Sequence, residues 1–326
     1  MTMADPVAGR LRELLVSGAG NLPRPGGGNT LGRWRALAAV AAEDLALVKL
    51  FEGHADALAI IGELAGPAPA PGSTWATWAA EPPSARVLLR QARGTARLSG
   101  RKAWCSGAGA VSDAVLTAWD EHGRQCLAMV RLDQVGVRIT AEGWHAVGMG
   151  RVDSGDVLFD DVPATMLGRP GDYLNRPGFW HGGAGIAACW YGGLVPLAEE
   201  LARRVAGGED PHASAHLGAV DAALGGARAA LRAAARWIDD NPQRDAEALA
   251  LRVRGIVEEA VAAVLHHAGR ALGAGPLCRD PALAQRFADL PVFVRQSHAE
   301  RDLAVLGDLV AKELVGQPSE AAGWAL

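Results

Sequence analysis

The sequence predicts an α+β fold in which N-terminal helices precede a central β-sheet domain, and a C-terminal four-helix bundle completes the chain. Apolar residues recur at helical spacing towards both ends of the 326 residues, whereas the middle holds short apolar runs separated by turn residues. Helices and strands are therefore segregated along the chain. This order excludes a Rossmann-type βαβ fold, in which the two alternate.

Changes in composition predict three domains: a short helical domain at residues 1–72, a β-sheet domain at 73–165 and a helical bundle at 166–326. The first boundary falls at residues 66–72, where proline alternates with small residues and a helix cannot continue. Because 49% of the residues are hydrophobic, the chain can bury a substantial core.

Each predicted element has its own signal. Residues 31–64 are rich in Ala, Leu and Glu, which predicts one or two amphipathic helices. Residues 114–119 and 126–130 have the composition of strands, and five of the ten tryptophans fall in this middle region, a density suited to a filled sheet face or a ring-shaped ligand. The bundle helices are predicted at residues 184–205, 216–239, 245–272 and 283–314.

Composition narrows the classes of function and partner. The formal net charge of −4 favours neither nucleic acid nor an anionic membrane surface. Four widely spaced cysteines without a CxxC pair indicate reduced thiols in a cytoplasmic protein, and no metal site is predicted, since His266 and His267 lack the spacing of metal ligands. No apolar run approaches the ~20 residues of a membrane span, and no export signal is recognised.

Two glycine patterns are similar to dinucleotide-binding fingerprints. Gly-x-Gly at residues 107–109 precedes a strand instead of following one. Gly-x-Gly-x-x-Ala at residues 183–188 does open a helix, but it follows a turn at residues 176–178. Because neither lies in a βαβ unit, a nicotinamide-cofactor site is not predicted.

The most specific local pattern is Gly-Arg-Lys-Ala-Trp-Cys-Ser-Gly-Ala at residues 100–108. It resembles the Gly-x-Lys-x-Trp-x-Ser/Thr-Asn/Gly strand end of the acyl-CoA dehydrogenases, and the chain resembles a divergent, shortened member of that family. The resemblance implies an FAD cofactor with Trp104 against the isoalloxazine ring and the Ser106 hydroxyl at its O4/N5 edge. An aromatic face excludes water beside the ring, and a hydroxyl donor stabilises charge arriving on reduced flavin.

Further matches follow in the order of that family. Ala-Glu-Pro at residues 80–82 resembles its Thr-Glu-Pro, which implies that Ala80 lies at the cofactor. Residues 144–163 resemble its sheet-closing segment, a Gly-Met turn followed by a strand. Gly273 and Gly275 resemble the glycine turn near the adenine end of the cofactor. Since relatives usually bury flavin at a subunit interface, a homodimer or homotetramer is expected.

Departures from the family pattern fall where the chemistry occurs. The Arg-x-x-Phe-Gly motif for the flavin pyrophosphate is not found, and residues 203–207 are the nearest stretch. The position of the catalytic glutamate falls on Arg295, which stays charged and cannot remove a proton. His181 and His298 are the alternative candidates, because an imidazole titrates near neutral pH. Each has an alternative interpretation as a helix cap or packing residue.

The leading hypothesis is an FAD-dependent oxidoreductase that acts on the CH–CH group of an acyl thioester. Residues 173–190, where aromatic residues lie beside glycines at the junction of sheet and bundle, are expected to line its pocket or to plug that junction. One alternative is a flavin-dependent monooxygenase on the same fold, since Arg-Gln-Ser-His at residues 295–298 loosely resembles such relatives. The other is a non-catalytic relative that binds an acyl carrier or partner, which the short N-terminal domain favours.

Overall fold

The computed structural model describes residues 6–92 and 95–316, and the predicted order of helices, sheet and helices is confirmed. The first helix was not predicted; its buried face is small, comprising Val7, Ala8 and Leu11. The N-terminal helices are α1 (Pro6–Val16), α2 (Thr30–Glu43) and α3 (Leu45–Glu63). The strands are β1 (Trp75–Trp78), β2 (Val87–Ala92), β3 (Thr95–Lys102), β4 (Asp113–Trp119), β5 (Gln125–Arg131), β6 (Val137–Ile139) and β7 (Val157–Leu167).

The helices after the sheet pack mainly against one another and against α2. Gly192, which lies in the first helix of more than six residues after the sheet, permits its close approach to α2, because a Cβ atom there would collide with the backbone of Ala38. No helix in the described ranges is long and apolar enough to cross a membrane. The helices are α4 (Asp172–Asn175), α5 (Gly178–Gly183), α6 (Ile186–Ala206), α7 (Pro211–Asp240), α8 (Glu247–Leu272), α9 (Ala274–Arg279), α10 (Pro281–Phe293) and α11 (Glu300–Gly316).

The prediction of a single helix at residues 283–314 is wrong. Helix α10 ends at Phe293, a 3-10 turn follows, and α11 begins only at Glu300. Pro291 removes a backbone donor near the end of α10, and Ala299 adopts a left-handed conformation with φ of 49°. This interruption, residues 294–299, is called here the α10–α11 break.

The strands form one sheet whose edges meet. Strand β4 pairs in parallel with β1 and antiparallel with β5, while β7 pairs antiparallel with β3, β5 and β6. The bridge between Leu88 and Trp119 links β2 to β4. Since β2 also pairs with β3, strands β4, β2, β3, β7 and β5 close into a ring. Closure leaves the loops at the strand ends to carry the site.

Helix α3 lies between the sheet and the bundle. Asp44 caps it by accepting a hydrogen bond from the Leu47 N–H at 3.0 Å, and thirteen of its nineteen residues are buried. Ile60 and Ile61 pack with Val115 of β4 on one side. Other residues of α3 belong to the cluster formed with α6, α8 and α10. The orientation of α3 therefore decides which of its polar residues face the space between the domains.

His54 ties α3 to the first strand and makes stability depend on pH. Its Nδ1 accepts a hydrogen bond from the Trp75 N–H at 3.1 Å, and burial lowers the pKa of His54 to about 4. The unfolded chain takes up this proton near pH ~6.5, so stability is complete above that pH and is lost as the pH falls towards 4. We expect His54 to account for roughly 2.5 kcal/mol of the loss in unfolding free energy between pH 7.5 and 4.5.

The variant His54→Asn isolates this contribution, because its side-chain oxygen can accept the same hydrogen bond without titrating. Urea unfolding at both pH values should show a loss that is smaller in the variant by about that amount. Equal losses in the two proteins would contradict the assignment.

Candidate functional site

A cavity of about 590 Å³ lies where the sheet, α3 and the α10–α11 break meet, and it is called here the main cavity. Its volume falls in the range that binds small molecules. Five of the eight predicted site residues line it, contributed by elements far apart in the sequence. They are Ala80, Trp104 and Ser106 from the sheet domain and Arg295 and His298 from the break.

Trp104 presents its side chain at the wall of the main cavity. It follows the end of β3 with a left-handed φ of 56°, and 52% of its surface is exposed. The backbone N–H of Trp104 donates to the buried Asp156 carboxylate at 3.3 Å, and Arg101 pairs with the same carboxylate. A left-handed backbone is unfavourable for tryptophan, so the hydrogen bonds around Asp156 are needed to maintain it. They keep the Trp104 ring exposed at the cavity, whereas packing alone would bury the ring in the core.

A pair of hydroxyls lies beside that aromatic surface. Ser106 Oγ and Ser154 Oγ are 3.0 Å apart, and both residues line the main cavity. The Trp78 Nε1–H donates to the Ser106 carbonyl at 3.1 Å, which holds the loop after β3. Trp144 also lines the main cavity. Its Nε1 is buried and has no hydrogen-bond partner among the described residues. This wall therefore offers donors beside an aromatic face.

A buried ion pair supports the strand ends behind Ala80. Lys102 Nζ donates to Glu81 Oε1 at 2.6 Å and to Thr117 Oγ1 at 2.7 Å, and Trp119 Nε1 donates to Glu81 Oε2 at 2.9 Å. Burial alone would raise the pKa of Glu81, but these hydrogen bonds lower it below its ordinary value. Burial lowers the pKa of Lys102. The network joins the segment after β1 to the end of β3.

Helix α3 contributes charged residues that are not among the predicted site residues. Lys49, Glu52 and Asp56 all line the main cavity. Lys49 Nζ donates to Glu52 Oε2 at 2.9 Å, and Arg33 Nη2 donates to Asp56 Oδ1 at 2.6 Å. Burial raises the pKa of Glu52, and the neighbouring Asp56 adds to this effect against the charge of Lys49. The spacing i, i+3, i+7 on an otherwise apolar helix was the available signal.

The α10–α11 break contributes an arginine and a histidine to the main cavity. The Arg295 guanidinium pairs with Glu258 of α8. His298 Nδ1 hydrogen-bonds to Asp302 Oδ1 at 3.1 Å, and Arg254 Nη2 donates to Asp302 Oδ2 at 3.3 Å. Because Asp302 orients the ring of His298 through Nδ1, Nε2 remains available for a proton transfer.

A second compartment of about 310 Å³ adjoins the main cavity. Seven residues line both spaces, among them Glu52, Asp56 and Tyr173. Phe179 and Trp180 line only the second compartment, which agrees with the expectation that the segment from residue 173 contributes to a pocket. The Phe179 ring packs edge-on against Tyr173 and Trp180, with centroids 5.2 and 5.0 Å apart.

Three predicted site residues lie outside both spaces. His181 is 1% exposed, and its Nε2 donates to the Arg244 carbonyl at 3.1 Å, since a carbonyl can only accept. Burial lowers the pKa of His181. Gly273 lies between α8 and α9, and Gly275 lies in the first turn of α9. Arg203, near the expected pyrophosphate position, is exposed and paired with Glu200.

The described residues also bear on metal binding. Within residues 6–92 and 95–316, no group of three His, Cys, Asp or Glu side chains is placed to hold a metal ion. The donors that line the main cavity include indole, hydroxyl, guanidinium, imidazole, amide and ammonium groups. These groups suit an organic ligand with ring nitrogens and carbonyl oxygens.

No protein-family model and no curated protein matches the sequence. Solved structures share its fold. TdsC, a dibenzothiophene monooxygenase from Paenibacillus sp. A11-2, has a TM-score of 0.75 and 21% identity over 92% of this chain and 87% of its own. The methanesulfinate monooxygenase MsuC from Pseudomonas fluorescens has a TM-score of 0.71 and 19% identity, over 94% of this chain and 96% of its own. XiaF from Streptomyces sp. has a TM-score of 0.71 and 17% identity, over 88% of this chain and 82% of its own.

These similarities establish an acyl-CoA dehydrogenase-like fold for this chain. TdsC has been solved with FMN and XiaF with FADH2. Flavin is thus bound by two proteins of this fold, TdsC and XiaF. TdsC and MsuC are monooxygenases by name. At identities of about 20% the similarity concerns the fold, and the chemistry has to be argued from the cavity.

The ion pair behind Ala80 is expected to be essential for stability. Lys102→Met should lower the unfolding free energy by about 3 kcal/mol, because it leaves the Glu81 carboxylate without its cation. Adding Glu81→Gln should restore part of this loss, since the amide oxygen still accepts from Trp119 without a charge. Urea unfolding of the wild type, the single variant and the double variant measures both effects. A loss below about 1 kcal/mol in Lys102→Met would contradict this role.

Proposed function

We propose that the protein is a flavin-dependent monooxygenase that works with reduced flavin and molecular oxygen. The observation that carries this proposal is one cavity lined by the exposed Trp104 and by Arg295 and His298, with arginine at the position expected for a catalytic glutamate. Reduced flavin would supply two electrons, so that one oxygen atom of O2 enters the substrate and the other leaves as water.

The residues of the main cavity fit a flavin ring. Trp104 offers a wide apolar surface, and Ser106 and Ser154 offer hydroxyl donors beside it. Trp144 Nε1 is a buried donor without a partner among the described residues, which a ring nitrogen or carbonyl oxygen would satisfy. These four residues would hold the ring.

The chain's own groups then have distinct roles. Trp104 excludes water from one face of the ring, and the two serine hydroxyls favour the form that carries negative charge. His298, oriented by Asp302, is placed to give or take a proton at Nε2. Arg295 supplies a permanent positive charge, partly compensated by Glu258.

Acyl-thioester dehydrogenation, the leading hypothesis from the sequence, is less well supported. That reaction needs a carboxylate to remove the α-proton, and Arg295 occupies the expected position. Glu52 and Asp56 do line the cavity, but each is bonded to a cation. Moreover, they form a charged wall, and covering it with an apolar acyl chain would be costly. The monooxygenase alternative therefore becomes the proposed function.

The identity of the flavin and the assembly are part of the proposal. FAD was expected from the resemblance, whereas FMN and FADH2 both occur in similar structures. Because Arg203 is exposed and bonded to Glu200, it gives no support for a pyrophosphate grip within one chain. Both flavins therefore need testing. A homodimer or homotetramer remains a proposal.

We expect reduced flavin to bind more tightly than oxidised flavin by roughly fivefold, because hydrogen bonds to a charged acceptor are stronger than those to a neutral one. The measurement is an anaerobic titration with FMN and FAD in both redox states. Trp104→Leu should weaken binding of reduced flavin about 10-fold, and Ser106→Ala/Ser154→Ala should remove the preference for the reduced form.

Trp237→Leu is the matched control, since Trp237 lies on α7 and lines neither the main cavity nor the second compartment. The affinity of the Trp237→Leu variant for flavin should equal that of the wild type. Anaerobic bleaching of bound flavin by acyl-CoA thioesters would favour the dehydrogenase instead. Absence of binding by either flavin would overturn both interpretations.

A further inference from the structure

Two carboxylates of α3 retain unused acceptor atoms at the junction of the two compartments. Glu52 Oε2 accepts from Lys49 Nζ, and Asp56 Oδ1 accepts from Arg33 Nη2. Among the described residues, Glu52 Oε1 and Asp56 Oδ2 make no hydrogen bond. Both residues line the main cavity and the second compartment. A ligand that spans the junction therefore meets two free acceptors.

A third acceptor comes from the α10–α11 break. Gln296 lines both compartments, and its Oε1 is buried without a hydrogen-bond partner in the described part of the chain. Leaving a buried acceptor without a hydrogen bond is unfavourable, because the group has lost its bonds to water. A ligand that brings an O–H or N–H group to this junction would recover part of that cost.

The charges at the junction do not require a cationic ligand. Lys49 and Arg33 each compensate one carboxylate, at 2.9 and 2.6 Å respectively. On the side of the second compartment, Arg176 and Arg254 are likewise paired with carboxylates. Since each of these four positive charges faces a negative one, a neutral donor suits the site better than an ammonium group.

The second compartment has an aromatic wall beside these acceptors. Tyr173, Phe179 and Trp180 all line it, and the Phe179 ring contacts the other two edge-on. Burial raises the pKa of Tyr173 to about 12, so its hydroxyl stays neutral. A planar ring packed against these residues would find its polar substituent next to α3.

We propose that the substrate is a neutral aromatic compound with a hydroxyl or ring N–H group, and that Glu52 determines specificity by accepting its hydrogen bond. The aromatic ring packs against Tyr173, Phe179 and Trp180 in the second compartment. The donor group reaches Glu52 Oε1, with Asp56 and Gln296 as neighbouring acceptors. This inference rests on the proposed function, because it assigns the second compartment to the substrate and the main cavity to the flavin.

The test uses a matched pair of probes, 2-naphthol and 2-fluoronaphthalene, which have similar shape but differ in the hydroxyl donor. Calorimetric titration of the flavin-free full-length protein gives both affinities. The wild type should bind 2-naphthol roughly 10-fold or more tightly than 2-fluoronaphthalene, as expected for a hydrogen bond to a charged acceptor. Equal affinities, or no binding of either probe, would overturn the proposal.

The double variant Lys49→Met/Glu52→Met removes the acceptor without leaving a lone buried charge. Its preference for 2-naphthol should fall to about twofold or less, whereas Glu199→Gln, an exposed change on α6, should leave the preference intact. Trp180→Ala should weaken the binding of both probes by a similar factor, so the ratio of their affinities should stay the same. An unchanged ratio in the double variant would show that Glu52 does not select the donor.

These results can be separated from failure of the proposed function, because the probe titrations contain no flavin. If reduced flavin binds as expected while the two probes bind equally, the monooxygenase proposal stands and the role of Glu52 is wrong. If the probes are distinguished but neither flavin binds, the second compartment is a donor-selective aromatic site in a protein of another function.

Discussion

The buried ammonium group of Lys102 is the interaction on which the site depends. It joins Glu81, which follows β1, to Thr117 of β4 from a position at the end of β3. Two residues further along the chain, Trp104 adopts its left-handed conformation and opens an aromatic face to the main cavity. Without a fixed strand end, a tryptophan at this position would gain more by burial in the core.

Local sequence was sufficient for the part of the site that β3 carries. Trp104 and Ser106 are separated by one residue in a specific motif, and both line the cavity. The order of helices and strands was also predictable, because hydrophobic periodicity is a local property. Pro291 was a visible signal for the end of α10, but the regular apolar spacing on both sides concealed the break.

The remaining site residues depend on packing between distant segments. Glu52 and Asp56 face the cavity only because α3 lies between the sheet and the bundle. Its place at a glycine-rich helix entrance makes His181 a predicted candidate for proton transfer, yet its Nε2 hydrogen-bonds to the Arg244 carbonyl. Sequence spacing specifies the face of a helix, but the partner of that face is decided by tertiary structure.

Under the proposed function, the two compartments divide the binding of cofactor and substrate between them. The sheet side of the main cavity keeps an aromatic surface and hydroxyl donors, whereas the break carries Arg295 and His298. The α3 side adds a charged wall that an apolar chain would not favour. In this account the cofactor is held by the sheet, and substrate choice is made by the helices around it.

A crystal structure of the protein grown with FMN would test the central claim most directly. The account predicts an isoalloxazine ring in contact with Trp104, with Ser106 or Ser154 within hydrogen-bond distance of the ring. A flavin bound elsewhere, or a Trp104 side chain covered by other residues of the protein, would contradict it.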